Sequence, residues 1–85
     1  MNDVQDEKSK FYITTDIDEV KWITGFARGF EIPKTFREHA RLKRWCMENC
    51  EDVICYYINK QSYDSKDNIY FYSDEDAMAY KLMWE

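Results

Sequence analysis

Hydrophobic and polar positions alternate in three stretches of the chain, and this period of two residues predicts β-strands. In the first stretch, residues 11–17, the apolar side chains fall on one face, with Tyr12 and Thr14 on the other. The other two stretches, residues 53–60 and 68–73, are rich in aromatic and β-branched residues and enclose a polar segment. They therefore predict a β-hairpin joined by a polar loop.

Helical periodicity and capping residues predict two helices between the first strand and the hairpin. Asp18 is suited to cap a short helix that extends to about Arg28, with Gly29 as its C-terminal stop. Pro33 favours the first position of a longer helix, which we expect over residues 34–51. The period predicts four residues on the core side of this second helix: Phe36, Ala40, Met47 and Cys50.

The last segment predicts a third helix, because Ser73 can cap it and residues 74–76 load its first turn with negative charge. We expect Trp84 to anchor this helix against the core. The predicted order is β-α-α-β-β-α, an α+β two-layer sandwich with helices on one face of a small, mainly antiparallel sheet. Residues 1–9 are polar, so we expect a disordered tail followed by a single domain over residues 10–85.

Two layers would leave one face of the sheet open, and the alternation sorts the strand residues between the two faces. The residues expected on the covered face are apolar: Phe11, Ile13, Ile54, Tyr56, Ile58, Ile69 and Phe71. The residues expected on the open face include four tyrosines: Tyr12, Thr14, Cys55, Tyr57, Tyr70 and Tyr72. The four tyrosines could bind a protein, stack unpaired bases, or cover one another across the strands.

Positive charge is concentrated in the middle of the chain, although the net charge is −5. Residues 20–47 carry seven basic and two acidic residues, whereas both flanking segments are acidic. Four basic residues of the second predicted helix recur every three or four positions beside Trp45: Lys34, Arg37, Arg41 and Arg44. This basic stripe predicts either a site for phosphates or an acidic protein, with Trp45 as an anchor, or a solvated helix face. The acidic flanks disfavour nucleic acid relative to protein as the partner.

Three cysteines and a single histidine raise the question of a metal site. Cys46 and Cys50 are one helical turn apart, but His39 lies ~10 Å from Cys46 along the predicted helix axis. Cys55 falls on the opposite face of the sheet, so we expect buried free cysteines and no metal. The same separation disfavours a Cys–His nucleophile, and the two glycines form no phosphate or oxyanion loop. We therefore expect neither a catalytic site nor a cofactor.

The N-terminal segment and the cysteines indicate where the protein acts. The first ten residues are polar and acidic, unlike a signal peptide, and three cysteines cannot form a closed disulfide framework. The longest apolar run, residues 53–58, is far shorter than the ~20 residues that span a bilayer. We expect a cytoplasmic protein with no membrane partner.

The chain from Asn68 to Trp84 reads NIYFYSDEDAMAYKLMW, an aromatic strand that leads into an acidic helix cap and an amphipathic helix. This segment, about a fifth of the chain, resembles the endings of small uncharacterised proteins of tailed bacteriophages. The resemblance implies an accessory protein made inside a bacterial host. Such proteins often bind and block a host or defence protein, and the resemblance implies no catalytic residues.

The sequence therefore predicts a non-enzymatic protein-binding module, and the resemblance implies that it is a phage-encoded inhibitor of a bacterial host or defence protein. A homodimer is a second possible assembly. The residues expected to contact the partner belong to the two surfaces above: Tyr12, Tyr57, Tyr70, Tyr72, Arg37, Arg41, Arg44 and Trp45. The alternative is a single-stranded nucleic-acid-binding protein that uses the aromatic sheet face together with the basic helix.

Overall fold

The computed structural model describes residues 10–61 and 66–85. The expected tail, residues 1–9, and residues 62–65 of the hairpin loop lie outside the described residues. The described chain contains four strands and three helices: β1 (Phe11–Thr14), α1 (Ile17–Thr24), β2 (Gly29–Ile32), α2 (His39–Asn49), β3 (Ile54–Tyr57), β4 (Asp67–Phe71) and α3 (Asp74–Trp84). The α+β class predicted from the sequence is confirmed, with the strand β2 added to the predicted order.

The strands form one mixed sheet in the order β1-β3-β4-β2. β3 and β4 form the predicted antiparallel hairpin, in which Ile54 lies opposite Phe71 and Tyr56 opposite Ile69. β2 pairs antiparallel with β4, whereas β1 pairs parallel with β3. The sheet is therefore mainly antiparallel, as predicted, with β1 and β2 at its edges.

β1 ends at Thr14 rather than at Ile17, because the residues that follow form a helix cap. The side chain of Asp16 accepts a hydrogen bond from the backbone N–H of Asp18 (2.9 Å), so Asp16 rather than Asp18 is the N-cap of α1. The N–H of Asp16 in turn donates to Thr14 Oγ1 (2.9 Å). These bonds fix the corner between β1 and α1.

α1 ends at Gly25 rather than at the predicted Gly29, and this leaves room for β2. Gly25 has a φ of 65°, the left-handed conformation that glycine adopts easily, and its N–H donates to the carbonyl of Lys21. Gly29 begins β2 instead of ending a helix. The alternation of β2 covers only four residues, and for this reason sequence periodicity did not separate it from the preceding helix.

α2 begins at His39, later than predicted, because Pro33 starts a turn and not a helix. The N–H of Phe36 donates to the carbonyl of Pro33 (3.0 Å) within this turn. The predicted core face is based on Phe36, but Phe36 lies outside α2. The predicted face is therefore rotated around the helix relative to the observed one. Ala40 and Met47 are consequently exposed, contrary to the prediction. The buried residues on this side are Leu42, Cys46 and Cys50.

α3 forms as the sequence predicts. The Ser73 hydroxyl oxygen accepts hydrogen bonds from two backbone N–H groups of the first turn, at 3.2 and 3.4 Å. On the buried side of the helix, the ring of Tyr80 packs against Phe71 and Phe30, with centroid distances of 5.1 and 4.9 Å. This aromatic cluster joins α3 to both β4 and β2.

The helices contact both faces of the sheet. α2 and α3 cover the face that carries Ile54, Tyr56 and Phe71, and together with it they form the main core. α1 lies against the opposite face, chiefly against β3, where Val20 and Cys55 are fully buried. The face that the sequence leaves open is therefore partly covered by α1.

Candidate functional site

Of the four tyrosines expected on the open face, Tyr12, Tyr57 and Tyr70 share one face of the sheet, whose centre α1 covers, and Tyr72 follows the end of β4. Tyr12 and Tyr72 are 40% and 56% exposed, whereas Tyr57 and Tyr70 are half-buried. Tyr12 and Tyr70 flank the same residue of β3 in the strand register, so they lie on opposite sides of the strip that α1 covers. The tyrosines therefore form the margin of a covered face and not a continuous open platform.

The centre of this face is a small second core under α1. Thr14 and Cys55, which the alternation leaves open, are buried there together with Val20 and Thr24. Burial raises the pKa of the Cys55 thiol to about 11, and the nearby Glu19 carboxylate adds to the effect. α1 has only eight residues and covers only this strip, so the aromatic side chains around it keep exposed surface.

The loop between α1 and β2 positions a second pair of aromatic rings. Phe26 and Tyr70 meet edge to face with their centroids 5.9 Å apart. The Tyr70 ring lies over Gly29, where a Cβ atom would come within 2.6 Å of Cε2 of Tyr70. Phe26 and Arg28 have φ angles of 62° and 41°, a region that residues other than glycine adopt at a cost. Strained backbone of this kind is concentrated at functional sites, which makes this loop a candidate binding element.

Trp22 projects from α1 away from the sheet and is 87% exposed. Val20, two positions earlier, is fully buried against the sheet, so the helix geometry directs Trp22 to solvent. An exposed tryptophan leaves a large apolar area in water, and tryptophan is enriched in protein interfaces. We call the partly exposed aromatic residues on this side the aromatic surface: Tyr12, Trp22, Phe26, Tyr70 and Tyr72.

Acidic side chains border the aromatic surface. Asp16, Asp18 and Glu19 are exposed at the N-terminal end of α1. At the other end of the surface, Arg28 and Asp74 form an exposed ion pair. The Arg28 guanidinium lowers the pKa of Asp74, and Asp74 raises the pKa of Arg28. Because this pair is balanced and the three acidic residues of the α1 end outnumber Lys21, the border of the surface has a net negative charge.

The predicted basic stripe is divided by the start of α2. Lys34 precedes the helix and forms an ion pair with Asp67, with 2.7 Å between Nζ and Oδ1. Arg41 lies on the helix, where it pairs with Glu38 at 2.7 Å. Its guanidinium carbon also lies 5.6 Å from the centre of the Trp84 ring, a cation–π distance. Two of the four basic residues are thus committed to contacts within the molecule.

The remaining members of the stripe differ in exposure. Arg37 and Arg44 are exposed and form no ion pair in the part of the chain that the structure describes. Trp45 is half-buried and packs edge to face on Trp84 at 6.3 Å, and Phe36 packs on the same ring at 6.1 Å. Trp84 therefore anchors α3, as predicted, and Trp45 belongs to this anchor more than to a free surface.

The three cysteines are free and buried, as the sequence predicts. A hydrogen bond with Cys50 and burial raise the pKa of Cys46, whereas the same bond lowers the pKa of Cys50. His39 lies apart from both and instead contacts Tyr56. Among the described residues, no three His, Cys, Asp or Glu side chains are grouped to hold a metal ion.

A cavity of about 390 Å³ opens between the first half of α2 and the strands β1 and β3. Its walls are mainly apolar and include Phe11, Ile13, Leu42 and Ile58. The alternation correctly places Ile13 on the core side of the sheet, but its side chain is 57% exposed because it lies at the cavity and not beneath a helix. The cavity is thus an apolar recess that remains open to solvent.

A chain of hydrogen bonds crosses the buried end of this cavity. Tyr56 Oη donates to Asp67 Oδ2 (3.2 Å), so the His39 ring donates from Nε2 to Tyr56 Oη (2.9 Å). Asp67 Oδ1 also accepts from Lys34 Nζ and from the backbone N–H of Asn59, at 2.7 and 3.1 Å. Burial, followed by the Asp67 carboxylate, raises the pKa of Tyr56, so its hydroxyl remains a donor.

Sequence reasoning did not identify this network, although one signal for it exists. Asp67 shares the period of two with Ile69 and Phe71, so the alternation places a carboxylate on the covered face. A buried carboxylate requires hydrogen-bond donors or a positive charge. His39 and Lys34 are distant from Asp67 in sequence, and only the fold brings them together.

Comparisons with protein-family models, with curated proteins and with solved structures found no match. In residues 10–61 and 66–85, no helix has the length and apolar composition needed to cross a membrane.

Proposed function

We propose that this protein is a non-enzymatic binding module that captures another protein through its aromatic surface. The observation that carries the proposal is the exposure of Trp22 on the α1 side of the sheet, where Tyr12 and Phe26 are exposed as well. Tryptophan and tyrosine are enriched in protein interfaces because they bury a large area with few rotatable bonds. In the isolated chain that area is left in water.

The acidic border specifies the kind of partner surface. Asp16, Asp18 and Glu19 would face the rim of an interface centred on Trp22. Rim charges contribute mainly to the rate and specificity of association. The expected partner therefore presents an apolar pocket surrounded by lysine or arginine side chains.

The resemblance of residues 68–84 to endings of small phage proteins makes a bacterial protein the expected partner. A phage-encoded inhibitor of a host or defence protein would act in the host cytoplasm. The proposal requires no catalytic group of this chain, since blocking a surface needs only affinity and complementarity.

The arrangement of the two candidate surfaces weighs against the nucleic-acid alternative. The aromatic surface lies on the α1 side of the sheet, and α2 lies on the opposite side. α2 carries Arg41 and Arg44, and Arg37 lies just before its start. A single strand that stacked on the tyrosines would have to pass around an edge of the sheet to contact these arginines. The acidic residues of α1 would also repel phosphates close to Trp22.

A homodimer is a second assembly, which the outer side of α3 favours. Met78 and Leu82 are 65% and 87% exposed and lie one helical turn apart. Pairing of this stripe between two copies would leave the aromatic surface free. Sedimentation of the wild type and of Leu82→Ser would reveal such a dimer as a change in molecular mass.

Affinity capture from bacterial lysate, with and without nuclease, tests the binding proposal. We expect one protein to be retained in stoichiometric amount by the wild type after nuclease treatment, and to be lost with Trp22→Ser. Leu82→Ser is the matched control, because Leu82 is equally exposed on the other side of the molecule. Retention that disappears with nuclease, or that survives in Trp22→Ser, would contradict the proposal.

A further inference from the structure

We propose that the cavity between α2 and β1 binds a small apolar molecule that carries one carboxylate. This site is separate from the aromatic surface, because the cavity lies on the α2 side of the sheet. The inference depends on three features of the cavity: its apolar walls, a lysine that forms no ion pair, and polar groups at the buried end that are already hydrogen-bonded.

The size and walls of the cavity suit a small organic ligand. Its volume of about 390 Å³ lies within the range of ligand pockets, ~300–1,000 Å³. Phe11, Leu42 and Ile58 form an apolar lining, and Ile13 exposes further apolar surface at the opening. An aliphatic or aromatic ligand body would remove this surface from water.

Lys43 supplies the charge that selects a carboxylate. Lys43 is an exposed residue of α2 that lines the cavity, and no ion pair occupies its ammonium group within the described parts of the chain. Lys34, the other lysine near the cavity, is already paired with Asp67. The cavity therefore has one positive charge without a partner, which fits a ligand with a single negative charge.

The hydrogen-bond network at the buried end determines how the ligand is oriented. Asp67 lines the cavity and its carboxylate would repel a second anion nearby. Both oxygens of Asp67 and the hydroxyl of Tyr56 are already hydrogen-bonded, so this end offers a polar but saturated wall. The ligand's carboxylate should therefore lie beside Lys43, with its apolar body directed towards Phe11 and Leu42.

The test is a titration of the full chain with sodium octanoate, monitored by calorimetry and by NMR shifts of Ile13 and Leu42. Octanol and octylamine have the same apolar body without the negative charge, and they serve as ligand controls. We expect saturable binding of octanoate, binding of octanol weaker by at least about tenfold, and no saturable binding of octylamine.

Variants locate the site and separate it from unspecific adsorption. Lys43→Gln should weaken octanoate binding by about tenfold. Lys81→Gln makes the same change at an exposed position of α3 and should leave binding unchanged. Ile13→Asp places a negative charge at the opening of the cavity at an exposed position, so the fold tolerates it and binding is lost. Equal affinities for octanoate and octanol, absence of saturable binding, or unchanged affinity in Lys43→Gln would overturn the proposal.

Discussion

The two faces of the sheet arise from the same alternating strands, but they are completed in different ways. On one face, α2 and α3, each of eleven residues, bury Phe71, Leu42 and Tyr80 in a continuous core. On the other face, the eight residues of α1 bury a narrow strip around Cys55 and leave aromatic rings at its margin. The length of helix over each face therefore determines how many of its aromatic side chains are buried in the monomer.

The largest expected change in stability distinguishes a buried aromatic ring of the main core from an exposed ring on the α1 side. Phe71→Ala should reduce the free energy of unfolding by ~3–5 kcal/mol, because it opens a cavity in the main core. Trp22→Ala should change it by less than ~0.5 kcal/mol, because the ring is exposed. Urea unfolding of both variants measures the contrast. A large loss of stability in Trp22→Ala would mean that the Trp22 ring stabilises the monomer, contrary to the difference between the two faces described above.

The polar network at the end of the main core should rank second. Asp67→Ala removes the acceptor of the Tyr56 hydroxyl and of the Asn59 N–H, and should destabilise the fold by ~2–3 kcal/mol. Asp74→Ala, which removes an exposed carboxylate, is the control and should have little effect. Thermal unfolding of the two variants distinguishes them. If Asp67→Ala lowers the stability as little as Asp74→Ala does, the network is not essential to the core.

Alkaline pH should weaken the main core through its buried tyrosines. Burial, followed by nearby Glu85, raises the pKa of Tyr80 to about 12, above the ~10 of an unfolded chain. The folded state thus holds the proton more tightly, so this contribution is complete below pH 10 and is lost between pH 10 and about 12. Tyr80→Phe should flatten the fall in stability over that interval, whereas Tyr72→Phe should not. Parallel curves for Tyr80→Phe and the wild type would contradict this assignment.

The smallest expected effect concerns the aromatic surface. Gly29→Ala places a Cβ atom 2.6 Å from the Tyr70 ring, so the ring must move and the edge-to-face contact with Phe26 is disturbed. We expect a loss of about 1 kcal/mol in stability, typical of modest overpacking. Chemical shifts of Tyr70 and Phe26 would report the displacement. Unchanged shifts would show that the ring is not held over Gly29.

The sequence predicted the elements whose signals are local. Ser73 and the acids after it define the start of α3, and the alternation around Ile54 and Ile69 defines the hairpin. The sequence does not distinguish β2, because Gly29 can begin a strand as well as end a helix. It also does not mark the start of α2, because Pro33 suits a turn as well as a first helical turn.

Properties that depend on packing between distant segments could not be predicted in this way. α1 connects the two edge strands β1 and β2, and it could cross either face of the sheet between them. No single residue of α1 determines which face it covers. The cavity likewise depends on the distance between α2 and β1, and His39 meets Tyr56 and Asp67 only in the folded chain. The tyrosines could be assigned to one face from their period, but their exposure could not.

Whether the α1 side binds the partner is tested most simply by the affinity of the captured partner for three purified proteins: the wild type, Trp22→Ser and Leu82→Ser. If the thinly covered α1 side is the binding surface, Trp22→Ser should weaken binding by ~30-fold or more, about the 2 kcal/mol of an interface hot spot. Leu82→Ser should bind like the wild type. Full affinity in Trp22→Ser would show that Trp22 is not the anchor, and a loss confined to Leu82→Ser would place binding on the α3 side.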